Sequence, residues 1–356
     1  PLTPVRIAIT LTIGGAALAL APCATPHPRT AKEAAPVFSQ LRTTEHRGED
    51  DLLSGGLGLA GLRTTAPPAV ADGEPPTHGE LRGRALWSTW RGIADPGPGG
   101  GYGELYGRVA LVPGREFSAF AVVAGASQPH RVLVQVPDAF DATKRCVVVT
   151  ASSGSRGIYG SIAVAGAWGL PRGCAVAYTD KGAGTDYVDL AAGLGVRADG
   201  TIGARGDGLA FDPATSATSG VAFKHAHSKD NPEADWGRHV KQAAQFALQS
   251  LGEAFPDAAP FTFENTRVIA VGISNGGGAV LRAAELDEGD WLDAVVAGEP
   301  NVFVEGARPL YDYTTQAALL MPCALLHLQN LPQPPLAAQA APLWAQRCAA
   351  LKEAGT

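Results

Sequence analysis

From residue 130 onward, short apolar runs alternate with stretches of helical periodicity. The runs are five or six residues long, are rich in Val and Ala, and cover 131–136, 146–150, 174–178, 267–271 and 293–297. Such runs are typical of strands that are buried on both faces of a parallel sheet. We therefore predict five strands in this part of the chain.

One helix has a particularly clear pattern, because its apolar residues form a single stripe at helical spacing. The stripe consists of Val240, Ala244, Ala247, Leu248, Leu251 and Phe255. Further helices are predicted around 159–170 and 277–285. The alternation of strands and helices predicts an α/β fold with a mostly parallel, doubly wound sheet.

The two ends of the chain differ from this core. Residues 1–24 resemble an export signal, with Arg6 at the start, an uncharged run over 7–21 and small residues at 22–24. A run of 15 residues is shorter than the ~20 that a membrane span needs. We therefore predict a secreted protein, extracellular or periplasmic, without a membrane span.

The remaining domain boundaries follow from composition. Residues 25–80 are predicted as a linker and a loosely structured N-terminal region, and residues 81–330 as the core. Within the core, 181–230 lacks periodicity and is predicted as an insertion over one face of the sheet. Residues 331–356 form a tail rich in Ala and Pro.

Charge and cysteine content narrow the range of partners. The net charge is −6 and no basic stripe occurs, which argues against nucleic acid as a partner. Four cysteines follow the predicted signal: Cys146, Cys174, Cys323 and Cys348. They permit two disulfides in an exported protein but equally fit isolated buried thiols.

A G-x-S-x-G motif is formed by Gly272, Ser274 and Gly276, directly after the predicted strand 267–271 and before a helix. This strand–turn–helix context is typical of a nucleophile elbow in an α/β-hydrolase-like fold. The alternative is a turn in which Ser274 serves only as a helix cap. We predict that Ser274 is a catalytic nucleophile.

A second Gly- and Ser-rich loop follows the predicted strand 146–150. In a hydrolase of this topology, this loop and the residue after the nucleophile donate the backbone N–H groups of the oxyanion hole. Ser153, Gly154, Ser155 and Asn275 are the candidates, although a plain βα turn is an alternative. No phosphate-binding motif or convincing metal-ligand pattern occurs, so we predict neither cofactor nor metal.

The base and acid partners of Ser274 are not evident. In this fold the acid and then the histidine follow the serine along the chain, and His327 is the one histidine after residue 274. It lies in an apolar run predicted as a strand, where a core role is more common than a catalytic one. Glu299 and Asp312 are possible acids of the triad, but no motif around either residue marks it for that role.

Six blocks of the sequence stand out, including SSGSRGIYG at 152–160 and GISNGGG at 272–278. The other four are 85–95, 99–103, 172–182 and 227–236. Together, over about residues 45–305, they resemble the extracellular D-3-hydroxybutyrate oligomer hydrolases.

That resemblance implies an exported serine esterase that cleaves soluble hydroxybutyrate oligomers and dimers to monomers during polyhydroxybutyrate breakdown. It places the family's nucleophile at Ser274. Family members are longer, so the resemblance implies that the acid and histidine lie beyond Thr356 and that the fold is incomplete at the C-terminus. Because the substrate ends in a carboxylate, Arg156 is a candidate for binding it.

Two alternatives stay open. One is a hydrolase of other esters, similar to tannases or feruloyl esterases. The other is a truncated, non-catalytic remnant that retains the sheet.

Overall fold

Two β-sheets and eight α-helical segments organise the part of the chain that the computed structural model describes, residues 37–97, 100–102, 108–154, 156–184, 186–327 and 336–355. The predicted export signal and Ser155 lie outside these ranges. The strands are β1 (Ser39–His46), β2 (Gly114–Ala121), β3 (His130–Pro137), β4 (Cys146–Ala151), β5 (Ala175–Thr179), β6 (Tyr187–Asp189), β7 (Leu194–Val196), β8 (Ile202–Ala204), β9 (Val221–Phe223), β10 (Arg267–Ile273) and β11 (Ala294–Gly298). The helices are α1 (Gly58–Leu62), α2 (His78–Ile93), α3 (Ala167–Gly169), α4 (Lys224–His227), α5 (Trp236–Ala254), α6 (Asn275–Glu285), α7 (Leu310–His327) and α8 (Ala337–Glu353).

The larger sheet has seven strands in the order β1-β2-β3-β5-β4-β10-β11. The four strands β5, β4, β10 and β11 pair in parallel, whereas β1, β2 and β3 pair in antiparallel fashion and β3 is antiparallel to β5. Five strands, all except β1 and β3, therefore point in one direction. The predicted α/β fold with a mostly parallel central sheet is confirmed.

Both faces of this sheet are covered. Helices α5 and α6 pack on one face through Val240, Ala244 and Val280. Trp90 of α2 and Ile162, in a π-helical turn over Ile162–Gly166, pack on the other face. This burial explains why β4 is apolar at successive positions: Val147, Val148 and Val149 are all fully buried, although they point alternately to the two faces.

The N-terminal part is more ordered than the composition of residues 25–80 predicts. Strand β1 extends the sheet by pairing with β2, and Leu52 and Leu53 are buried in the core beside α2. The reason is tertiary: β1 is mostly exposed and polar, so its own pattern carries little signal, and it is fixed by hydrogen bonds to β2.

The predicted insertion contains the smaller sheet, in the order β8-β7-β6-β9. Each of its strands has three residues, and its core contains Val188, Leu209, Phe211 and Ala222. Strands this short leave no detectable periodicity, which is why the sequence shows only an irregular segment.

The apolar run around His327 is helical, so its prediction as a strand was wrong. It forms the end of α7, and His327 is exposed rather than in a core. A short apolar run fits either element by pattern alone. Helix α7 is joined to α8 by the disulfide Cys323–Cys348, and a second disulfide, Cys146–Cys174, joins β4 to the residue before β5.

Candidate active site

Ser274 occupies a sharp turn between β10 and α6. Its backbone has φ 56° and ψ −124°, a conformation that non-glycine residues rarely adopt. Its N–H donates to the carbonyl of Gly298 at 2.9 Å, and its own carbonyl accepts from the N–H of Gly278 at 3.0 Å. The residue is half-buried. The turn therefore holds a strained serine at the carboxyl end of the parallel strands.

Two glycines make this turn sterically feasible. A Cβ at Gly272 would lie 2.2 Å from the carbonyl oxygen of Gly276, and a Cβ at Gly276 would lie 2.5 Å from the carbonyl oxygen of Ala151. Both distances are far below van der Waals contact and involve backbone atoms. The same close approach packs the start of α6 directly on the end of β4.

The loop after β4 consequently lies beside the serine turn. Ser153 is buried, and Gly154 adopts a left-handed φ of 56°. Within the described ranges, the N–H groups of Ser153 and Gly154 donate to no hydrogen-bond acceptor. Asn275 begins α6, where an N–H has no acceptor within its own helix. Three of the predicted oxyanion donors therefore border one region; Ser155 is outside the described residues.

The Lys181 side chain is joined to this loop by two hydrogen bonds. Its ammonium Nζ donates to the carbonyl of Gly154 at 2.7 Å and to the hydroxyl of Ser152 at 3.0 Å. The side chain is fully buried, with Nζ 5.4 Å from the ring centre of Trp236. Burial lowers the pKa of Lys181 to about 8, although the carboxylates of Asp180 and Glu233 favour its charged form.

Lys181 belongs to a buried polar group that we call the Lys181 cluster: Lys181, Asp180, His130, Trp236 and His239. Asp180 Oδ2, Trp236 Nε1 and His239 Nδ1 are buried without a hydrogen-bond partner among the described residues. Burial lowers the pKa of both His130 and His239, so these imidazoles are neutral near pH 7. Unpaired buried polar atoms are uncommon and are often found at functional sites.

The Lys181 cluster contacts the serine turn through Trp236. A Cβ at Gly278, in the first turn of α6, would lie 3.5 Å from the indole ring of Trp236. Sequence reasoning missed Lys181 and Trp236 as members of this site. A usable signal existed, because Asp180 and Lys181 directly follow β5, and parallel neighbours bring their carboxyl ends to the same edge of the sheet.

Histidine and acid partners for Ser274 are not found among the described residues. No hydrogen bond there joins the Ser274 hydroxyl to a histidine or carboxylate. His327 is exposed on α7, and Glu299 is exposed after β11. In the same ranges, no cluster of three or more His, Cys, Asp or Glu is placed to hold a metal ion.

Arg156 lies on the loop after β4, but its guanidinium points towards α2. A Cβ at Gly92 of α2 would lie 1.6 Å from Arg156 Nη1. Arg156 lines a cavity between α2 and the antiparallel half of the sheet, and Ser274 is not among the residues that line this cavity.

Among the helices of the described ranges, none has the length and apolarity that crossing a membrane requires.

Comparison with known proteins shows one consistent family. The family model for 3HB-oligomer hydrolases matches residues 19–356. A D-(-)-3-hydroxybutyrate oligomer hydrolase of Paracidovorax citrulli is 42% identical, with 89% of this chain and 52% of the relative covered. The enzyme of that name from Burkholderia vietnamiensis is 39% identical, with 90% and 54% covered.

This chain spans about half the length of the curated relatives it matches. Among solved structures, an esterase from Aspergillus oryzae aligns with 83% of this chain and 38% of its own, at 11% identity and a TM-score of 0.29. That likeness is too low to carry an argument. The family model and the curated relatives agree, and the chain belongs to the 3HB-oligomer hydrolase family.

Proposed function

We propose that this chain carries the nucleophile of a serine esterase, with Ser274 as the attacking residue. The observation that carries the proposal is the backbone of Ser274, φ 56° and ψ −124°, at a turn between a buried strand and a helix. A turn of this kind exposes the serine hydroxyl at the N-terminus of a helix, where N–H groups stabilise a developing negative charge.

The proposed reaction is acyl transfer through a covalent intermediate. A general base removes the Ser274 proton, and the alkoxide attacks the ester carbonyl and expels the alcohol after its protonation. The N–H groups of Asn275, Ser153 and Gly154 stabilise the oxyanion. Water then attacks the acyl-enzyme, releases the acid and restores the serine hydroxyl.

The strand order supports an α/β-hydrolase fold. In the sheet, three antiparallel strands, β1 to β3, lie beside the parallel strands β5, β4, β10 and β11, and the nucleophile follows β10. This gives the serine a central strand with a neighbour on each side, so that the loop after β4 can reach it.

The proposed substrates are oligomers and dimers of D-3-hydroxybutyrate, cleaved to monomers in polyhydroxybutyrate breakdown. The support is the name of the curated relatives at about 40% identity. Because this chain spans about half the length of those relatives, their activity is stated for it as a proposal, which the assay below tests.

Secretion is proposed on two grounds. Residues 1–24 have the composition of an export signal, and two disulfides form within the described residues. Disulfides persist mainly in oxidising compartments.

A non-catalytic remnant is the second candidate. The observation that favours it is the lack of a histidine hydrogen-bonded to Ser274 among the described residues. In that case Ser274 would keep its strained turn but lack a base.

Labelling with a fluorophosphonate and hydrolysis of the hydroxybutyrate dimer separate the two candidates. We expect the folded chain to take up label at Ser274, located by peptide mass spectrometry, and to release monomer. Ser274→Ala should lose both signals by at least ~10³-fold, because the nucleophile is gone. Ser216→Ala, an exposed serine of the insertion, is the matched control and should keep both.

A chain that is folded by circular dichroism but takes up no label at Ser274 favours the remnant. Dimer hydrolysis that persists in Ser274→Ala would rule out this serine as the nucleophile. An aromatic ester, assayed in parallel, tests the tannase- or feruloyl-esterase-like alternative.

A further inference from the structure

A cavity of about 400 Å³ lies on the α2 face of the sheet, away from the residues that form the serine turn. Its walls come from β1, α2, β2, β3, the loop after β4 and the hairpin between β7 and β8. The volume is within the range of sites that bind small molecules.

Five arginines line this cavity, and four of them have an acidic partner. The pairs are Arg42–Asp199 at 2.7 Å, Arg82–Glu116 at 2.8 Å, Arg131–Asp186 at 2.5 Å and Arg197–Asp207. The charges of these four are compensated within the protein. A ligand gains little from an arginine that already binds a carboxylate.

The fifth arginine, Arg156, has no hydrogen-bond or ion-pair partner within the described ranges. Its guanidinium lies on Gly92, where any side chain would displace it. Because Gly92 has no side chain, the guanidinium can pack directly on α2 at this position. Arg156 therefore supplies one uncompensated positive charge at the wall of the cavity.

The rest of the lining combines apolar and hydroxyl groups. Leu81, Leu133 and Ile158 contribute apolar surface, and Thr44 and Ser88 contribute hydroxyls. A ligand that matches these walls has one carboxylate for Arg156, a short apolar chain and a hydroxyl group.

We propose that this cavity binds a short hydroxycarboxylic acid through Arg156, at a site separate from Ser274. The identification of the ligand as 3-hydroxybutyrate, or as the acid end of its oligomers, rests on the proposed function. The requirement for a free carboxylate rests on the geometry alone.

The test is isothermal titration calorimetry with D-3-hydroxybutyrate and with its methyl ester, on the full chain carrying Ser274→Ala. This background prevents hydrolysis of the ester, so the result does not depend on whether Ser274 is a nucleophile. We expect the acid to bind with a Kd of roughly millimolar, as suits a small ligand. The methyl ester, which has lost the charge, should bind at least ~tenfold more weakly.

Two variants address Arg156 in different ways. Arg156→Gln removes the charge, and Gly92→Ala displaces the guanidinium while leaving every charge in place. Both should weaken binding of the acid by ~tenfold or more. Gly83→Ala is the matched control on the same helix, because a Cβ there meets nothing within 4 Å, and Arg172→Gln is the control for loss of an arginine.

Three results would overturn the proposal: equal affinity for acid and ester, unchanged affinity in Arg156→Gln, or no saturable binding up to ~50 mM acid, well above the expected Kd. Failure of the esterase assay leaves all these titrations interpretable. Normal dimer hydrolysis combined with no binding here would discard the second site and keep the proposed function.

Discussion

Two buried polar groups lie on opposite faces of the larger sheet, and they differ in how completely their atoms are paired. On the face covered by α2, the Arg82 network consists of Arg82, Glu116, His46, Asp50 and Tyr159. Glu116 accepts hydrogen bonds from Arg82 at 2.8 Å and from the Tyr159 hydroxyl at 2.8 Å, and Arg82 also donates to Asp50. None of these side chains has a buried atom without a partner.

The Lys181 cluster, beside the serine turn, is only partly paired. Buried atoms of Asp180, Trp236 and His239 lack hydrogen-bond partners among the described residues, and Asp180 Oδ2 has only an ion pair with the buried Lys224 at 3.9 Å. A fully paired network stabilises one arrangement of the core, whereas unpaired groups cost stability and persist where something else requires them. The comparison indicates that the Arg82 network serves stability and that the Lys181 cluster near Ser274 serves binding or chemistry.

The largest expected effect is on stability, from Glu116→Gln. The change leaves Arg82 buried at 3% side-chain exposure without its main countercharge, and breaking one side of a buried pair costs about 3–5 kcal/mol. Urea unfolding monitored by tryptophan fluorescence gives the free energy of unfolding.

Asp138→Asn is the matched control, because it breaks an exposed pair with Arg47 and should cost less than about 1 kcal/mol. A loss below 1 kcal/mol in Glu116→Gln would contradict the assignment of the Arg82 network to stability.

A smaller effect concerns the pH dependence of the free energy of unfolding. The contributions of His46, in the Arg82 network, and of Lys181 should change with pH in opposite directions. Burial alone would lower the pKa of His46, but hydrogen bonds to Asp50 and Glu116 raise it to about 9. Protonated His46 therefore stabilises the fold fully below pH 6.5, and this contribution is lost as pH rises to 9. The pKa of Lys181 is lowered to about 8 in the folded protein. Between pH 8 and 10.5 the folded state therefore binds fewer protons at Lys181 than the unfolded state does, so the contribution of Lys181 to the free energy of unfolding rises with pH.

Unfolding free energies measured from pH 6 to pH 10.5 check both signs. The fall between pH 6.5 and 9 should disappear in His46→Gln, and the opposing rise above pH 8 should disappear in Lys181→Met. A wild-type slope between pH 6.5 and 9 that His46→Gln leaves intact would contradict the raised pKa.

The smallest effect on stability, with a clear effect on rate, is expected for Lys181→Met. Methionine fills a similar volume but cannot donate to Gly154 or Ser152, so the loop beside Ser274 loses its support. We expect labelling of Ser274 to slow about tenfold or more, since small displacements of catalytic groups are costly. The free energy of unfolding should change by less than about 1 kcal/mol, because the variant also removes a poorly compensated buried charge.

The pH profile distinguishes positioning from simple packing. The wild-type labelling rate should show an inflection near pH 8 that is absent in Lys181→Met. Lys144→Met, at an exposed lysine, should behave as wild type. Unchanged rates in Lys181→Met would remove Lys181 from the site.

Local features were predictable from sequence and distant pairings were not. The parallel strands and the serine turn were anticipated because Val147 to Val149 and the spacing of Gly272 and Gly276 are local consequences of burial and of backbone sterics. Strand β1 and Lys181 were missed because hydrogen bonds to β2 and to Gly154 fix them from far along the chain. The strand assigned around His327 was wrong because a largely apolar run of six residues is too short to show a period that separates a strand from a helix.

The disulfide Cys146–Cys174 closes the chain into a covalent ring between the first residue of β4 and the residue before β5. The loop with Ser153 and Gly154 lies inside this ring, so even the unfolded chain samples fewer arrangements of it. A protease that cuts once between residues 146 and 174 would therefore leave two pieces still tied together, and only a reductant would release them.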